Sequence, residues 1–206
     1  MNVPKEGYDG LLGGAVNQRV EFAESLVDTA LSAAEWGGRD ALTEALDALP
    51  AATYVTAPDG TITYYNQACI DLAGRTPDLR HDRWCVTWRL FTVNGEPLPH
   101  AECPMAVAIR ERRRIRNVEA IAERPDGTRI QFIPFPTPWF DADGNFGGAI
   151  NLLLDVTSQR QLETLRNQAA RCRRLANTIG DRRAIEVLSA MAVEYDAQAD
   201  RIGTPH

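Results

Sequence analysis

Two histidines and two cysteines in the middle of the chain lie at spacings that a metal ion could use. His81 and Cys85 are four residues apart, and His100 and Cys103 are three residues apart. Imidazole and thiolate suit the tetrahedral coordination of Zn²⁺, so these four residues form a metal-site hypothesis. His100 precedes a predicted helix and is also the candidate ligand for a haem iron. The interpretation that we prefer is structural, with buried cysteines and with histidines on a polar loop.

A second group of side chains could line a cavity for a small molecule. Trp84 and Trp88 are four residues apart and could stack on a flat ligand, although packing in a core is the commoner role of such side chains. Aromatic and apolar walls with a few polar groups are typical of ligand pockets. The candidate lining residues are Trp84, Trp88, His100, Met105, Phe132 and Phe135.

The chain contains none of the common catalytic or cofactor motifs. Gly-x-Ser-x-Gly, His-Glu-x-x-His, the phosphate-binding loop and the dinucleotide fingerprint are all missing from the sequence. Most aspartates and glutamates fall in predicted turns or on helix faces, where they form turns or carry solvated charge. We therefore expect a protein that is not an enzyme, and the sequence identifies no cofactor.

Three Asp-Gly turns outline the strands that must position these residues. Asp-Gly between short β-rich runs is a strong hairpin signal, because both central turn residues tolerate positive φ. The turns lie at 58–60, 125–127 and 143–144. The predicted strands are 52–57, 61–65, 117–123, 128–140 and 145–156.

The predicted helices lie before, between and after these strands. Apolar residues at spacings of three and four predict an amphipathic helix over 17–36, which Gly37-Gly38 should end, and a second helical segment over 40–49. Asn66 is a plausible N-cap, and Gly74 is a plausible stop signal. Pro104 suits the first position of a helix. The remaining helices are 67–73, 104–114 and a C-terminal hairpin over 158–206 that breaks at Gly180-Asp181.

This order of elements predicts an α+β fold. A five-stranded antiparallel sheet would carry a helical insert, and helices would flank it on both sides in the sequence. We expect the insert to cover one face of the sheet and to leave a small cavity beneath it. The predicted regions are an N-terminal helical arm over 1–45, the sheet domain over 46–157 and the C-terminal helical hairpin over 158–206.

Charge and hydropathy restrict the partners and the location. The net charge is −6, which argues against nucleic-acid binding. No apolar run approaches the roughly 20 residues that a membrane helix needs. The N-terminus has neither a basic leader nor an apolar core, so we expect a cytoplasmic protein with reduced cysteines.

Two clusters of arginine have different predicted roles. The first cluster, at 110–116, crowds the end of the helix that begins at Pro104, where positive charge complements the helix dipole. The second lies in the segment 158–183, whose net charge is +5, whereas the arm over 1–45 carries −5. We expect the second cluster either to be a solvated helix face or to dock onto the acidic arm or an acidic partner.

The central region resembles the PAS family of sensor modules. The resemblance is carried by Leu49-Pro50-Ala51-Ala52, by residues 58–68, by residues 123–129 and by the closing tripeptide Asp155-Val156-Thr157. The segment from Trp84 to Met105 is similar to a subgroup of PAS domains found in proteobacterial histidine kinases. No kinase motif follows Thr157, so we expect a stand-alone bacterial PAS protein with helical flanks.

The resemblance implies a function in signalling. PAS domains bind varied ligands or protein partners, so the expected protein is a sensor or adaptor with a small-molecule ligand or a signalling partner. In the family, the matching Asp and Thr lie at the hinge to the output helix, which implies a relay role for Asp155 and Thr157. We also expect a homodimer, in which the arm helix packs on the sheet or on its twin.

Overall fold

The computed structural model describes residues 14–49, 51–141 and 143–203. Within these ranges the chain forms five α-helices, one short 3₁₀-helix at His100–Glu102 and six strands. The helices are α1 (Gly14–Asp47), α2 (Gln67–Ala73), α3 (Pro104–Glu111), α4 (Thr157–Thr178) and α5 (Arg182–Gly203). The strands are β1 (Ala52–Thr56), β2 (Ile62–Tyr65), β3 (Arg89–Phe91), β4 (Ala120–Glu123), β5 (Arg129–Phe140) and β6 (Phe146–Asp155).

The strands form one antiparallel sheet in the order β2-β1-β6-β5-β4-β3. The predicted α+β fold with an antiparallel sheet is confirmed, and the five predicted strands are all present. The sixth strand, β3, is a three-residue edge strand in a segment that we expected to be irregular. Within the sheet it pairs with β4, and such a short strand carries little sequence signal.

The chain divides into two compact units, one up to Asp155 and one from Val156 onward. The first unit contains α1 and the whole sheet. The second unit contains α4 and α5, which pack on each other through Ala169, Cys172 and Ala192. Arg173 forms an ion pair with Asp196 between these two helices. Among the residues described, no helix has an apolar stretch long enough to cross a bilayer.

The sheet has two differently covered faces. Tyr54 in β1 and Leu153 in β6 lie on the face that we call inner, which packs against residues of α2 and α3. Val55 and Ile150 lie on the outer face, where they pack with Leu46 of α1. Neighbouring residues of a strand point to opposite faces, so β1 and β6 contribute to both cores.

Helix α1 runs without interruption from Gly14 to Asp47. The prediction that Gly37-Gly38 ends the first helix is therefore wrong. A glycine inside a helix costs only about 1 kcal/mol relative to alanine, and packing of the flanking turns can offset that cost. The buried residues Val20, Ala23, Val27 and Leu46 lie on both sides of the glycine pair, and the helix packs against β5 and β6.

Arginines that follow α3 attach α1 to the rest of the first unit. Arg116 donates to Glu24 at 2.7 Å, and Arg114 donates to Asp28 at 2.8 Å. Arg116 also donates to the Pro136 carbonyl and to the Thr137 hydroxyl of β5. The acidic arm thus pairs with the first arginine cluster, which we had assigned to the dipole of α3. That helix ends earlier than predicted, because Arg112 adopts a left-handed φ of 51°.

Asn66 joins three segments of the fold. Its backbone caps α2 as predicted, and its side-chain Oδ1 accepts bonds from the amides of Thr53 and Cys69 at 3.0 and 3.2 Å. Its Nδ2 donates to the carbonyls of Leu46 and Ala51 at 3.1 and 2.9 Å. Asn66 is 3% exposed, so these bonds are made at a buried side chain whose loss is costly.

We expect Asn66→Ala to lower the free energy of unfolding by about 3 kcal/mol, because it removes four hydrogen bonds of a buried side chain that join three segments. Urea denaturation followed by circular dichroism measures the change. Gln67→Ala is the control, since the Gln67 side chain is exposed and donates to Asp71. A loss below about 1 kcal/mol for Asn66→Ala would contradict this account of Asn66.

Candidate functional site

Tyr54 and Asn151 form a buried polar pair on the inner face of the sheet. They are cross-strand partners in the β1–β6 pairing. Asn151 Nδ2 donates to the Tyr54 hydroxyl at 2.9 Å, and that hydroxyl donates to the Trp84 carbonyl at 2.9 Å. Burial raises the pKa of Tyr54 well above its usual value, and nearby cysteines raise it further. The hydroxyl is therefore neutral and acts as a hydrogen-bond donor.

Three cysteines from separate segments surround this pair. Cys69 of α2, Cys85 of the loop before β3 and Cys103 before α3 are all buried in the inner core. Burial raises the pKa of Cys69 and of Cys103 to about 12 in each case, and burial also raises the pKa of Cys85. All three are neutral thiols at physiological pH, which makes them poor nucleophiles and poor metal ligands.

A short chain of polar contacts leads from Cys85 outward. Its Sγ lies 3.1 Å from the Thr87 hydroxyl, which lies 3.5 Å from Nε2 of His100. Partial burial lowers the pKa of His100, and the nearby charge of Arg75 lowers it further. His100 is thus a neutral imidazole at the outer end of this chain.

The four residues of the metal-site hypothesis are not assembled into a site. His81 is exposed, and its Nδ1 lies 2.8 Å from Asp78 Oδ2. Cys85 and Cys103 instead face the apolar core as protonated thiols. Over the described residues, no group of three or more histidine, cysteine or acidic side chains is arranged to hold a metal ion. The sequence spacing was compatible with zinc, but the loop directs His81 toward solvent.

The six predicted lining residues are distributed over three places. Trp84, Met105 and Phe132 belong to the inner core or pack against it. Trp88 and His100 line a shallow surface hollow of about 500 Å³ beside β3. Phe135 lies on the outer face, where the guanidinium of Arg116 stacks over its ring. Phe132 and Phe135 are three residues apart in one strand, and this odd spacing places them on opposite faces.

Trp84 has an unusual backbone conformation that serves the inner core. Its φ of 71° lies in the left-handed region, which is strained for an aromatic residue. Its amide donates to the Gly60 carbonyl at 2.8 Å, and its ring covers Gly60 so closely that a Cβ there would lie 2.2 Å from it. Gly60, which itself has a φ of 87°, is the glycine of the first Asp-Gly turn. The turn thus holds the loop that delivers the Trp84 carbonyl to Tyr54.

The inner face carries a buried core, and a large cleft lies on the outer face. Between the helical insert and the sheet, where we expected a small cavity, lie buried side chains of the inner core such as Tyr54, Cys69 and Met105. A cleft of about 1000 Å³ lies instead between α1 and the outer face, and we call it the outer cleft. Its walls include Leu31, Leu42, Val55, Tyr64, Trp139 and Ile150.

Sequence reasoning missed Tyr54, Asn151 and the outer cleft. A signal for Asn151 was present, because it is a lone amide within the otherwise apolar run of residues 149–154. Such an amide in a central strand must find a buried partner. The partner, Tyr54, is 97 residues away, and nothing in the local pattern identifies it.

The two residues of the predicted relay lie at the boundary of the two units. Asp155 is the last residue of β6, where it is exposed and pairs in register with Phe132. Thr157 is the first residue of α4. A single residue separates them, and their relay role stays a prediction.

Comparison with known proteins agrees with this architecture. A sequence profile of the family described as the PAS fold matches residues 46–161. The structure is similar to the PAS domain of the fruit-fly ELK potassium channel, with 12% identity, a TM-score of 0.47 and coverage of 57% of this chain and 96% of that one. It is also similar to a PAS domain from Colwellia psychrerythraea, with 19% identity, a TM-score of 0.38 and coverage of 55% and 92%.

A third similar structure is a LOV protein from Rhodobacter sphaeroides. The identity is 9%, the TM-score is 0.39, and the coverage is 86% of this chain and 96% of that one. No curated protein matches the chain.

We expect Cys69 and Cys103 to react slowly with a maleimide at pH 7.5, because burial keeps both thiols protonated. Their reaction in the native protein should be at least a hundredfold slower than in the urea-unfolded chain. Mass spectrometry of the modified peptides measures both rates. A Cys172→Ser variant leaves only the three thiols of the inner core, and prompt modification of either residue in it would contradict this assignment.

Proposed function

The chain belongs to the PAS fold family, and from that premise we propose that it is a non-enzymatic signal-sensing or adaptor protein of the bacterial cytoplasm. The sheet domain binds a small ligand or a signalling protein. The resulting change in the sheet passes through Asp155 and Thr157 to the C-terminal helices.

The position of β6 is the observation that carries this proposal. This strand lies between β1 and β5 in the sheet, and it is in contact with α1 and α3. It ends at Asp155, and α4 begins at Thr157. A displacement on either face of the sheet therefore reaches β6, and β6 leads directly into the next helix. Two arrangements of similar energy at this junction would be enough for a switch.

The chemistry of the inner core supports a role in sensing rather than in catalysis. Tyr54 and the three surrounding cysteines are neutral, and Tyr54 is hydrogen-bonded to its neighbours. Catalytic groups generally have a pKa near the working pH, whereas burial shifts these pKa values away from it. The polar groups here stabilise one arrangement of the core.

We further propose that the protein is a homodimer in which α1 contributes to the contact. One side of α1 packs on the sheet through Val20, Ala23 and Val27. Phe22 on the same helix is 59% exposed. A partner subunit that covered Phe22 would remove its apolar ring from water, which favours association.

We expect Asp155→Ala to keep the fold and to change the relation between α4 and the sheet domain. Asp155 is exposed, so the melting temperature should stay within about 2 °C of the wild type. Chemical cross-links between α4 and the first unit, mapped by mass spectrometry, should change in their relative yields. Asp143→Ala removes the same charge from the β5–β6 turn and is the control. Identical cross-links in Asp155→Ala and wild type would refute the relay.

We expect Phe22→Asp to weaken dimerisation at least tenfold, because it places a charge in an apolar contact. Light scattering over a range of concentrations gives the dissociation constants. Val93→Asp is the matched control, since Val93 is 52% exposed in the turn after β3. A Phe22→Asp variant that stays as dimeric as the wild type would remove α1 from the dimer contact.

A further inference from the structure

We infer that the outer cleft is a binding site for a neutral, largely apolar small molecule that carries a hydrogen-bond acceptor. This inference rests on the proposed sensory function and gives it a site and a class of ligand. The site lies on the face of the sheet opposite to the packed inner core.

The cleft has the size and the walls of a ligand site. Its volume of about 1000 Å³ is at the upper end of the range of about 300–1,000 Å³ that small-molecule pockets occupy. Val55 and Ile150 form its floor, and Leu31 and Leu42 of α1 lie across from them. Tyr64 and Trp139 add aromatic surface, as is usual in such pockets.

The fold holds the cleft open by fixing α1 on both sides of it. Before the cleft, Glu24 accepts a hydrogen bond from Arg116 at 2.7 Å, and Val27 is buried. After the cleft, the Leu46 carbonyl accepts a hydrogen bond from Asn66 Nδ2 at 3.1 Å. Leu31 and Leu42 lie between these two attachments. The helix therefore bridges the cleft, and the gap is not closed simply by moving one end of α1.

The polar groups of the cleft define the chemistry of the ligand. Among the described lining residues there is no arginine or lysine, whereas Asp141 is present. Tyr64 donates to Asp47 of α1 at 2.5 Å, which adds a second carboxylate nearby. These carboxylates disfavour an anion, since the described lining residues offer no basic group to pair with it. A neutral molecule is the consistent choice.

Trp139 supplies the reason to expect an acceptor. Its indole N–H is buried and has no hydrogen-bond partner among the described residues. Its ring packs on Gly147 of β6, where a Cβ would lie 2.2 Å from it. Buried donors are nearly always paired in folded proteins, and Trp139 also lines the cleft, so a ligand acceptor that reached this indole as the side chain adjusts would supply the missing bond. A carbonyl or ether oxygen of the ligand would satisfy it.

Occupation of the cleft would act on the strand that carries the proposed signal. Ile150 and Gly147 belong to β6, and Ile150 is five residues before Asp155. Leu31 and Leu42 belong to α1, so the ligand would also bias the position of the arm. Ligand binding and the proposed relay thus share one strand.

The test measures the binding of two planar dyes to the full-length protein by fluorescence. Nile red is neutral and has a carbonyl acceptor, whereas pyrene is apolar and has none. Thr63→Trp and Leu42→Trp each fill the cleft, one from β2 and one from α1. If one variant fails to fold, the other still tests the site. Trp139→Phe removes the indole N–H, and Val93→Trp adds an exposed indole outside the lining residues as the control.

We expect both filling variants to bind Nile red at least tenfold more weakly than the wild type, and Val93→Trp to bind it equally well. Trp139→Phe should weaken the binding of Nile red severalfold more than it weakens the binding of pyrene. Unchanged Nile red binding in both filling variants, or no binding by the wild type, would overturn the site. If Trp139→Phe weakened the binding of both dyes by the same factor, the role of the acceptor would be overturned.

Cross-links between α4 and the first unit, measured with and without Nile red, separate this inference from the proposed function. Binding that leaves the cross-links unchanged would show that the cleft is occupied without driving the relay. Failure of the dye to bind leaves the result of Asp155→Ala to decide the relay by itself.

Discussion

The side-chain amide of Asn66 is the interaction on which the arrangement of the first unit depends. It makes four hydrogen bonds that join the end of α1, the start of β1 and the first turn of α2. An amide can satisfy two donors and two acceptors at once, and here all of these partners are backbone groups. Because α1 covers the outer face and α2 covers part of the inner face, this one side chain sets the position of both layers relative to β1.

The two faces of the sheet have different chemistry although they share the same strands. In β6, Asn151 turns toward Tyr54 and the thiols, and Ile150 turns toward α1. The inner face holds a neutral polar network inside a buried core, whereas the outer face holds an apolar cleft. A packed core resists change, and an open cleft can accept a ligand. This contrast is the reason for placing the proposed site on the outer face.

Arginines connect segments that are far apart in the sequence. Arg116 joins β5 to α1, and Arg124 donates to the carbonyls of Asp71 and Leu72 at the end of α2. A guanidinium has five donors in a planar fork, so it can bond several carbonyls and a carboxylate at the same time. These contacts attach α1 to the outer face and attach α2 to the turn between β4 and β5.

The local features of the fold were largely readable from the sequence. Asn66 and Gly74 bound α2 as expected, and the three Asp-Gly turns separate the strands that they were predicted to separate. Turn and capping preferences depend on a few neighbouring residues, so a single sequence contains them. Hydrophobic spacing likewise predicted the two C-terminal helices and their break near Gly180.

Only the tertiary structure decided which of these local pieces meet. The uninterrupted course of α1 through Gly37-Gly38 and the pairing of Tyr54 with Asn151 depend on packing between distant segments. The outer cleft depends in the same way on where α1 is fixed. The sequence by itself determined most of the elements and the family resemblance, because turn, capping and spacing preferences are local. The sites were decided by the fold, because their distances are set by contacts that span most of the first unit.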